Sequence, residues 1–189
     1  MIYGNQWPIY AKQWDEMQIL PNRLNEVNKV AHRLFASKAR YAAVEQATTV
    51  PWYMIAAIHE RESGQDWKAS LAQGDRWDRV SIHVPAGRGP FASWEAAAID
   101  ALHIDGLTLV KDWRLEKSLF YWEKYNGTGY FAHNLPSPYN WGATTIQKPG
   151  KYTGDGKWSF NTTDTQVGCA AILKALMAID STIQIVRET

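Results

Sequence analysis

Residues 51–64, Pro-Trp-Tyr-Met-Ile-Ala-Ala-Ile-His-Glu-Arg-Glu-Ser-Gly, run from a proline through an almost wholly apolar stretch into two acidic side chains and a glycine. Pro51 suits the opening of a helix, where its missing N–H costs nothing, and Gly64 suits the close, where a left-handed residue is needed. At about 100° per residue, Glu62 follows Ile55 by seven positions and Ile58 by four, so it projects within roughly 20° to 40° of both. Glu62 therefore shares the apolar face. Glu60 points nearly opposite and is expected to meet solvent beside Arg61 or a lysine. Lost hydration on an apolar face and the carbonyl end of the helix dipole both disfavour a charged carboxylate, which predicts a raised pKa for Glu62. A glutamic acid protonated near neutral pH is what glycosidic bond cleavage requires, since the leaving oxygen takes a proton as the bond breaks. A buried glutamate paired with an arginine, or a solvated carboxylate at a frayed helix end, would leave the same pattern.

The rest of the chain divides by hydrophobic period. Leu24, Val27, Val30, Ala31 and Leu34 recur at helical spacing, which predicts one amphipathic helix from Pro21 to about Gln46 with a packing stripe. From Asp75 to Val84 the pattern alternates, with Val80, Ile82 and Val84 on one side and Arg79, Ser81 and His83 on the other, as in a short strand or hairpin. Pro85 to Pro90 reads as a loop, and it lacks the Lys and Ser or Thr of a phosphate loop. Ser93 fits an N-cap with Glu95 in the first turn of a helix reaching about residue 110, and a second helix is expected from Leu115 to Tyr125. Residues 127–163 lack a steady period and read as an irregular surface segment, and Gln166 to Val186 reads as a largely buried closing helix.

The length of 189 residues suits one compact domain, residues 1–189, with the helices of 1–50 packing on it, and a 46% apolar composition excludes a disordered chain. A net charge of +1 without a Lys or Arg cluster gives no sign of nucleic-acid binding. The lone Cys169 excludes an intrachain disulfide and reads as a core residue. Its surrounding apolar run is too short to span a bilayer, so stable membrane insertion is not expected, and no signal peptide is visible after Met1. His59-Glu60 lacks the second histidine of a zinc helix, because position 63 is Ser63, and the other histidines show no ligand spacing. Neither a metal nor a cofactor is expected.

Arg61-Glu62-Ser63 at the end of such a helix resembles the catalytic helix of goose-type lysozymes and soluble lytic transglycosylases, in which the glutamate before the serine is the acid. Tyr125-Asn126-Gly127 is similar to the Tyr-Asn-Gly segment that lines the cleft opposite that glutamate. Ile58 to Phe91, with Gly74-Asp75 and His83-Val84-Pro85-Ala86-Gly87-Arg88, also resembles small phage and prophage lysozyme-like proteins, as do Ser137-Pro138-Tyr139 and the closing helix. The resemblance covers most of residues 51–179. It implies an α+β, predominantly α-helical, lysozyme-like fold with a small β-hairpin beside the cleft. The activity it implies is that of an endolysin-type muramidase, which hydrolyses the β-1,4 bonds between N-acetylmuramic acid and N-acetylglucosamine in bacterial cell-wall peptidoglycan. It further implies a monomer made in a host cytoplasm that reaches the wall once a separate holin opens the membrane. The Gly-Leu-Met-Gln run that follows the glutamate in lytic transglycosylases does not occur, which favours hydrolysis. A lytic transglycosylase giving anhydro products and a non-catalytic glycan-binding or virion protein are the alternatives.

Within that resemblance a second carboxylate is offered from the β side. Asp75 shares the parity of Trp77, Arg79, Ser81 and His83, whereas Asp78 falls with the apolar set, so Asp75 is the candidate for general base or electrostatic support. A Gly-Asp pair is also common turn chemistry. Ten tryptophans and nine tyrosines offer flat faces for sugar rings. Trp7, Trp14, Trp52 and Trp94 lie in helical patterns and read as packing, while Trp77, Tyr130, Tyr139, Trp141 and Tyr152 lie where a glycan could reach. The candidate substrate contacts are Tyr125, Asn126, Gly127, Trp77, His83, Tyr139 and Trp141. His59 reads as a satisfied structural histidine.

Overall fold

A computed structural model describes residues 3–72, 74–83, 85–154 and 156–188. Eight α-helices appear there: α1 (Tyr3–Glu16), α2 (Leu24–Ala36), α3 (Lys38–Thr48), α4 (Trp52–Ser63), α5 (Trp94–Ile104), α6 (Leu115–Asn126), α7 (Pro138–Trp141) and α8 (Cys169–Ile179). Strands β1 (Lys151–Gly154) and β2 (Lys157–Ser159) pair antiparallel, so the chain is predominantly helical with one small sheet. Contacts divide it into two compact units, residues 32–113 and residues 1–31 with 114–189. No helix among the described residues is long and apolar enough to cross a membrane.

In the unit of residues 32–113, α3 packs on both α4 and α5. Tyr41, Val44, Met54, Ile55, Ile58, Trp94 and Leu102 form its buried core. The expected helix ends hold for α4, which begins after Pro51 and stops at Gly64 with φ of 62°. Ser93 caps α5 by accepting a hydrogen bond from the Ala96 N–H at 3.2 Å. That helix ends at Ile104, and a 3₁₀ turn over Leu107–Leu109 completes the segment.

The single helix expected over 21–46 is broken. A 3₁₀ turn at Pro21–Arg23 precedes α2, and Ser37, with φ of −101° and ψ of 11°, separates α2 from α3. The hydrophobic stripe continues across the break because both helices bury it. What interrupts the ladder is polar: the Ser37 hydroxyl accepts from the Gln65 amide at 3.2 Å, and the same amide reaches the Arg33 carbonyl at 3.4 Å.

The strand expected over 75–84 does not form, and Val84 lies outside the described residues. Val80 is 53% and Ile82 80% exposed, so the alternation marks no buried face. The amides that a strand would offer a neighbour are used within the loop. Ser81 N–H donates to the Arg88 carbonyl at 2.8 Å, Gly87 N–H donates to the Ser81 carbonyl at 2.9 Å, and the N–H groups of Ile82 and His83 go to the Asp75 carboxylate.

The sheet lies instead in the unit of residues 1–31 and 114–189, with Lys151 opposite Ser159 and Tyr152 opposite Trp158. Its sequence signal is Lys-Tyr-Thr-Gly before Gly-Lys-Trp-Ser, β-formers on either side of a glycine-rich turn. His133 stacks on Trp158 with ring centroids 3.7 Å apart and planes 10° from parallel. Residues 127–163 are thus not wholly irregular, nor wholly on the surface. Ser137 caps α7 by accepting from the Tyr139 N–H, and α7 packs on α6 and α8 in the core. The closing helix is shorter than expected. Asp180 accepts from the N–H and hydroxyl of Thr182, ending α8, and the tail docks through Arg187 and the Glu188 N–H on the buried Glu116 carboxylate of α6.

Gly142 and Gly168 let two backbones meet beside α7. Gly168 N–H donates to the Gly142 carbonyl at 2.9 Å, and a Cβ on Gly168 would lie 2.3 Å from the Asn140 carbonyl oxygen. Gly168→Ala should therefore force backbone movement and cost about 1 to 3 kcal/mol, read as a lower urea midpoint, whereas Gly4→Ala, in helix α1 with open space around it, should not lower that midpoint.

Candidate active site

The last turn of α4 carries Glu62. Gly64 N–H donates to the Glu60 carbonyl at 2.9 Å, and Gln65 N–H to the His59 carbonyl at 3.2 Å, closing the helix with two left-handed residues. Gln65 is not glycine, so its φ of 63° stores strain on the order of 1 kcal/mol. Its side chain holds it there: the amide donates to Ser37 Oγ and, at 3.0 Å, to the Tyr41 hydroxyl. Tyr41 in turn contacts His59 Nδ1 at 3.0 Å, and His59 Nε2 lies 3.1 Å from the Asp66 carbonyl. A carbonyl only accepts, so Nε2 carries the proton and Nδ1 accepts from Tyr41. His59 is a fully buried structural histidine, with Trp67 at 4.7 Å and Trp94 at 4.6 Å between ring centroids. The Arg40 guanidinium sits 3.8 Å from the Trp67 ring and pairs with Glu95.

Glu62 itself is half-buried. The sequence placed Glu60 in solvent, and that is corrected: its side chain is only 14% exposed and pairs with Arg33 of α2. An arginine from a neighbouring helix supplies the partner expected from Arg61 or a lysine.

The turn bearing the second carboxylate runs beside Glu62. A Cβ on Gly74 would lie 3.4 Å from the Glu62 carbonyl oxygen, so the Gly74-Asp75 backbone is in contact with the end of α4. Asp75 is committed to its own loop. Oδ1 accepts from His83 Nδ1 at 2.6 Å, and Oδ2 accepts from the N–H groups of Ile82 at 3.1 Å and His83 at 3.0 Å. These bonds, the His83 side chain foremost, hold the Asp75 carboxyl below the usual range and keep it ionised. His83 is exposed, and Trp77 is half-buried with its indole N–H donating to the Trp67 carbonyl at 2.8 Å. Asp78 pairs with Arg76 at the surface. A small pocket lined by Asp75, Arg79, Ser81, Arg88 and Asp100 lies between this loop and α5, where Arg88 pairs with Asp100.

Glu62, Asp75, Trp77 and His83 all belong to the unit of residues 32–113. Tyr125, Asn126 and Gly127 belong to the other unit, where Tyr125 and Asn126 are the last residues of α6 and Gly127, with φ of 101°, caps it. Tyr139 and Trp141 are corrected: they are 2% and 0% exposed, core residues of α7 rather than glycan contacts. Ser137-Pro138 starts a helix that turns both rings inward. Tyr130 is likewise buried, and Tyr152 is half-buried in the hairpin cluster.

A third carboxyl escaped the sequence reading. Glu123 of α6 is 3% exposed and accepts from the Tyr10 hydroxyl at 2.9 Å, and burial pushes its pKa up to about 7. The signal was present, because Glu123 follows Leu119 by four residues and Phe120 by three, the same argument that marks Glu62. Among the described residues no group of His, Cys, Asp and Glu side chains could hold a metal ion. Comparison with protein-family models, curated proteins and solved structures gives no match to the chain.

The site rests on a neutral imidazole. Burial lowers the His59 pKa from 6.5 to about 4, so the unfolded chain takes up a proton as pH falls below about 6.5 while the folded chain does not. Stability held by His59 is complete above that value and should fall by roughly 3 kcal/mol as pH drops to about 4. Proton-detected ¹⁵N spectra should show the His59 ring neutral and Nε2-protonated at pH 5, and an imidazolium there would contradict the relay.

Proposed function

We propose that the chain is a peptidoglycan-degrading glycosidase with a lysozyme-like fold, in which Glu62 is the general acid. The observation that carries this reading is the backbone contact between the end of α4, which bears the half-buried Glu62, and the Gly74-Asp75 turn, whose next residue carries an ionised carboxylate. In this reading Glu62 gives its proton to the glycosidic oxygen as the bond to the sugar breaks. Positive charge then develops on the ring, and a carboxylate fixed in its ionised form by three hydrogen bonds stabilises that charge. The lowered pKa of Asp75 makes it a weak proton acceptor, which supports electrostatic stabilisation over general-base work. Trp77, with its N–H already bound, offers ring surface to a sugar, and exposed His83 offers Nε2. Tyr125, Asn126 and Gly127 enter as substrate contacts through the resemblance alone. So do the phage endolysin context, release by a holin and the monomeric state.

Commitment of both Asp75 oxygens to the loop also favours a second reading, a lytic transglycosylase in which Glu62 acts as acid and then as base. There the muramyl hydroxyl attacks in place of water and no second carboxylate is needed. Mass spectrometry of digested peptidoglycan separates the two: free reducing ends support the hydrolase, and products lighter by one water support the transglycosylase. Glu62→Gln should lower turnover by about 10²- to 10⁴-fold with the thermal midpoint retained. Asp75→Asn should slow the hydrolase but leave transglycosylation at equal folded concentration unchanged. Glycan binding without soluble products from the wild type would replace both with a non-catalytic binding role.

A further inference from the structure

The unit formed by residues 1–31 and 114–189 holds a cavity of about 320 Å³ that the proposed role of Glu62 does not use. One face of α1 forms its wall, since Gln6, Ile9, Tyr10 and Gln13 follow the spacing of a single helical stripe. Phe131 and Leu135 close the apolar side, and Glu123 of α6 stands among them. One carboxyl oxygen of Glu123, Oε2, accepts from Tyr10, and Oε1 has no protein donor among the described residues. The carboxamides of Gln6, Gln13 and Asn134 on the lining likewise make no side-chain hydrogen bond among those residues. Among the described residues no lysine, arginine or histidine lines the cavity. His133, the nearest candidate in sequence on the 129–136 segment, is stacked on Trp158 instead. Tyr10 from α1 is the one other titratable group on the wall among the described residues, and the segment 131–136 contributes none to it.

We propose that this cavity binds a primary ammonium group carried on an aliphatic stem, with Glu123 as its counter-charge. An anion would meet a carboxyl and no cation. A purely apolar guest would leave Oε1 and three carboxamides without partners, at a cost in each case. An ammonium has three donors and no acceptor, which matches one carboxylate oxygen and the carboxamide oxygens, while Ile9, Phe131 and Leu135 cover methylene groups. Two sources share this chemistry: a free diamine and the side-chain amine of a peptide.

Because the buried carboxyl titrates near pH 7 and an alkylammonium stays charged, binding must displace a proton from Glu123. Affinity should tighten about tenfold from pH 6 to pH 8. Isothermal titration calorimetry of the full chain with 1,5-diaminopentane and with blocked Nα-acetyl-lysine methylamide tests this. Heat from both ligands, or from one alone, supports the site and identifies which source it accepts. Glu123→Gln, which can still accept from Tyr10, should weaken binding at least tenfold and remove the pH dependence. Ile9 is 49% exposed, so Ile9→Lys should fold and fill the cavity with its own ammonium, abolishing binding. Absence of heat at about 10 mM ligand, or equal affinity in Glu123→Gln with the melting curve retained, would overturn the proposal. Neither result bears on Glu62, whose test is turnover of peptidoglycan.

Discussion

A relay of three side chains, from the Gln65 amide to the Tyr41 hydroxyl to the His59 imidazole, holds the end of α4 where it is. Each member is buried, and each would leave a polar group without a partner if it were lost. The relay fixes the left-handed Gln65, and so fixes where the chain goes after Gly64. From there Asp66 receives the His59 N–H, Trp67 packs on His59 and Trp94, and the backbone returns at Gly74 to touch the Glu62 carbonyl. The position of Glu62 thus depends on polar contacts that begin at α3, not on the apolar face of its own helix alone.

The loop that follows is built on a different economy. Its residues bury little, and Ile82 stands in solvent. Order comes from hydrogen bonds that converge on two side chains, the Asp75 carboxylate and the Ser81 hydroxyl, which accepts from Arg88 N–H and donates to the Pro85 carbonyl. A carboxylate that organises a loop is thereby held ionised, and this is why Asp75 suits charge stabilisation better than proton transfer.

Helix ends were legible where their chemistry is local: Pro51 and Gly64 bound α4, Ser93 caps α5, and Leu115 opens α6. Features set by distant partners were not. Ser37 breaks the helix, though not its apolar stripe, because Gln65 reaches it from 28 residues away. The alternation of residues 79–83 looks like a strand, but the amides of Ile82 and His83 turn to the Asp75 carboxylate and that of Ser81 to the Arg88 carbonyl. Conversely, the hairpin at 151–159 lies in a stretch without a steady period, although Tyr152 and Trp158 flank a glycine turn. Aromatic residues in irregular sequence also misled, because Ser137 starts a short helix that buries Tyr139 and Trp141. A glutamate on the apolar face of a helix is desolvated wherever the pattern occurs. That pattern marks Glu62, and it marks Glu116 and Glu123 equally well, of which one is neutralised by Arg187 and the other faces a cavity.

The burial of Glu123 has a counterpart in that of His59, and together they shape how folding exchanges protons with solvent. In mildly acid solution the unfolded chain holds a proton on His59 and none on Glu123, while the folded chain holds none on His59 and one on Glu123. Near about pH 5.5 folding therefore transfers a proton from a base to an acid within one molecule and leaves the solvent almost unchanged. Between about pH 4.5 and 6.5 the two slopes of stability oppose each other, so their combined dependence on acidity is flatter than either group alone would make it.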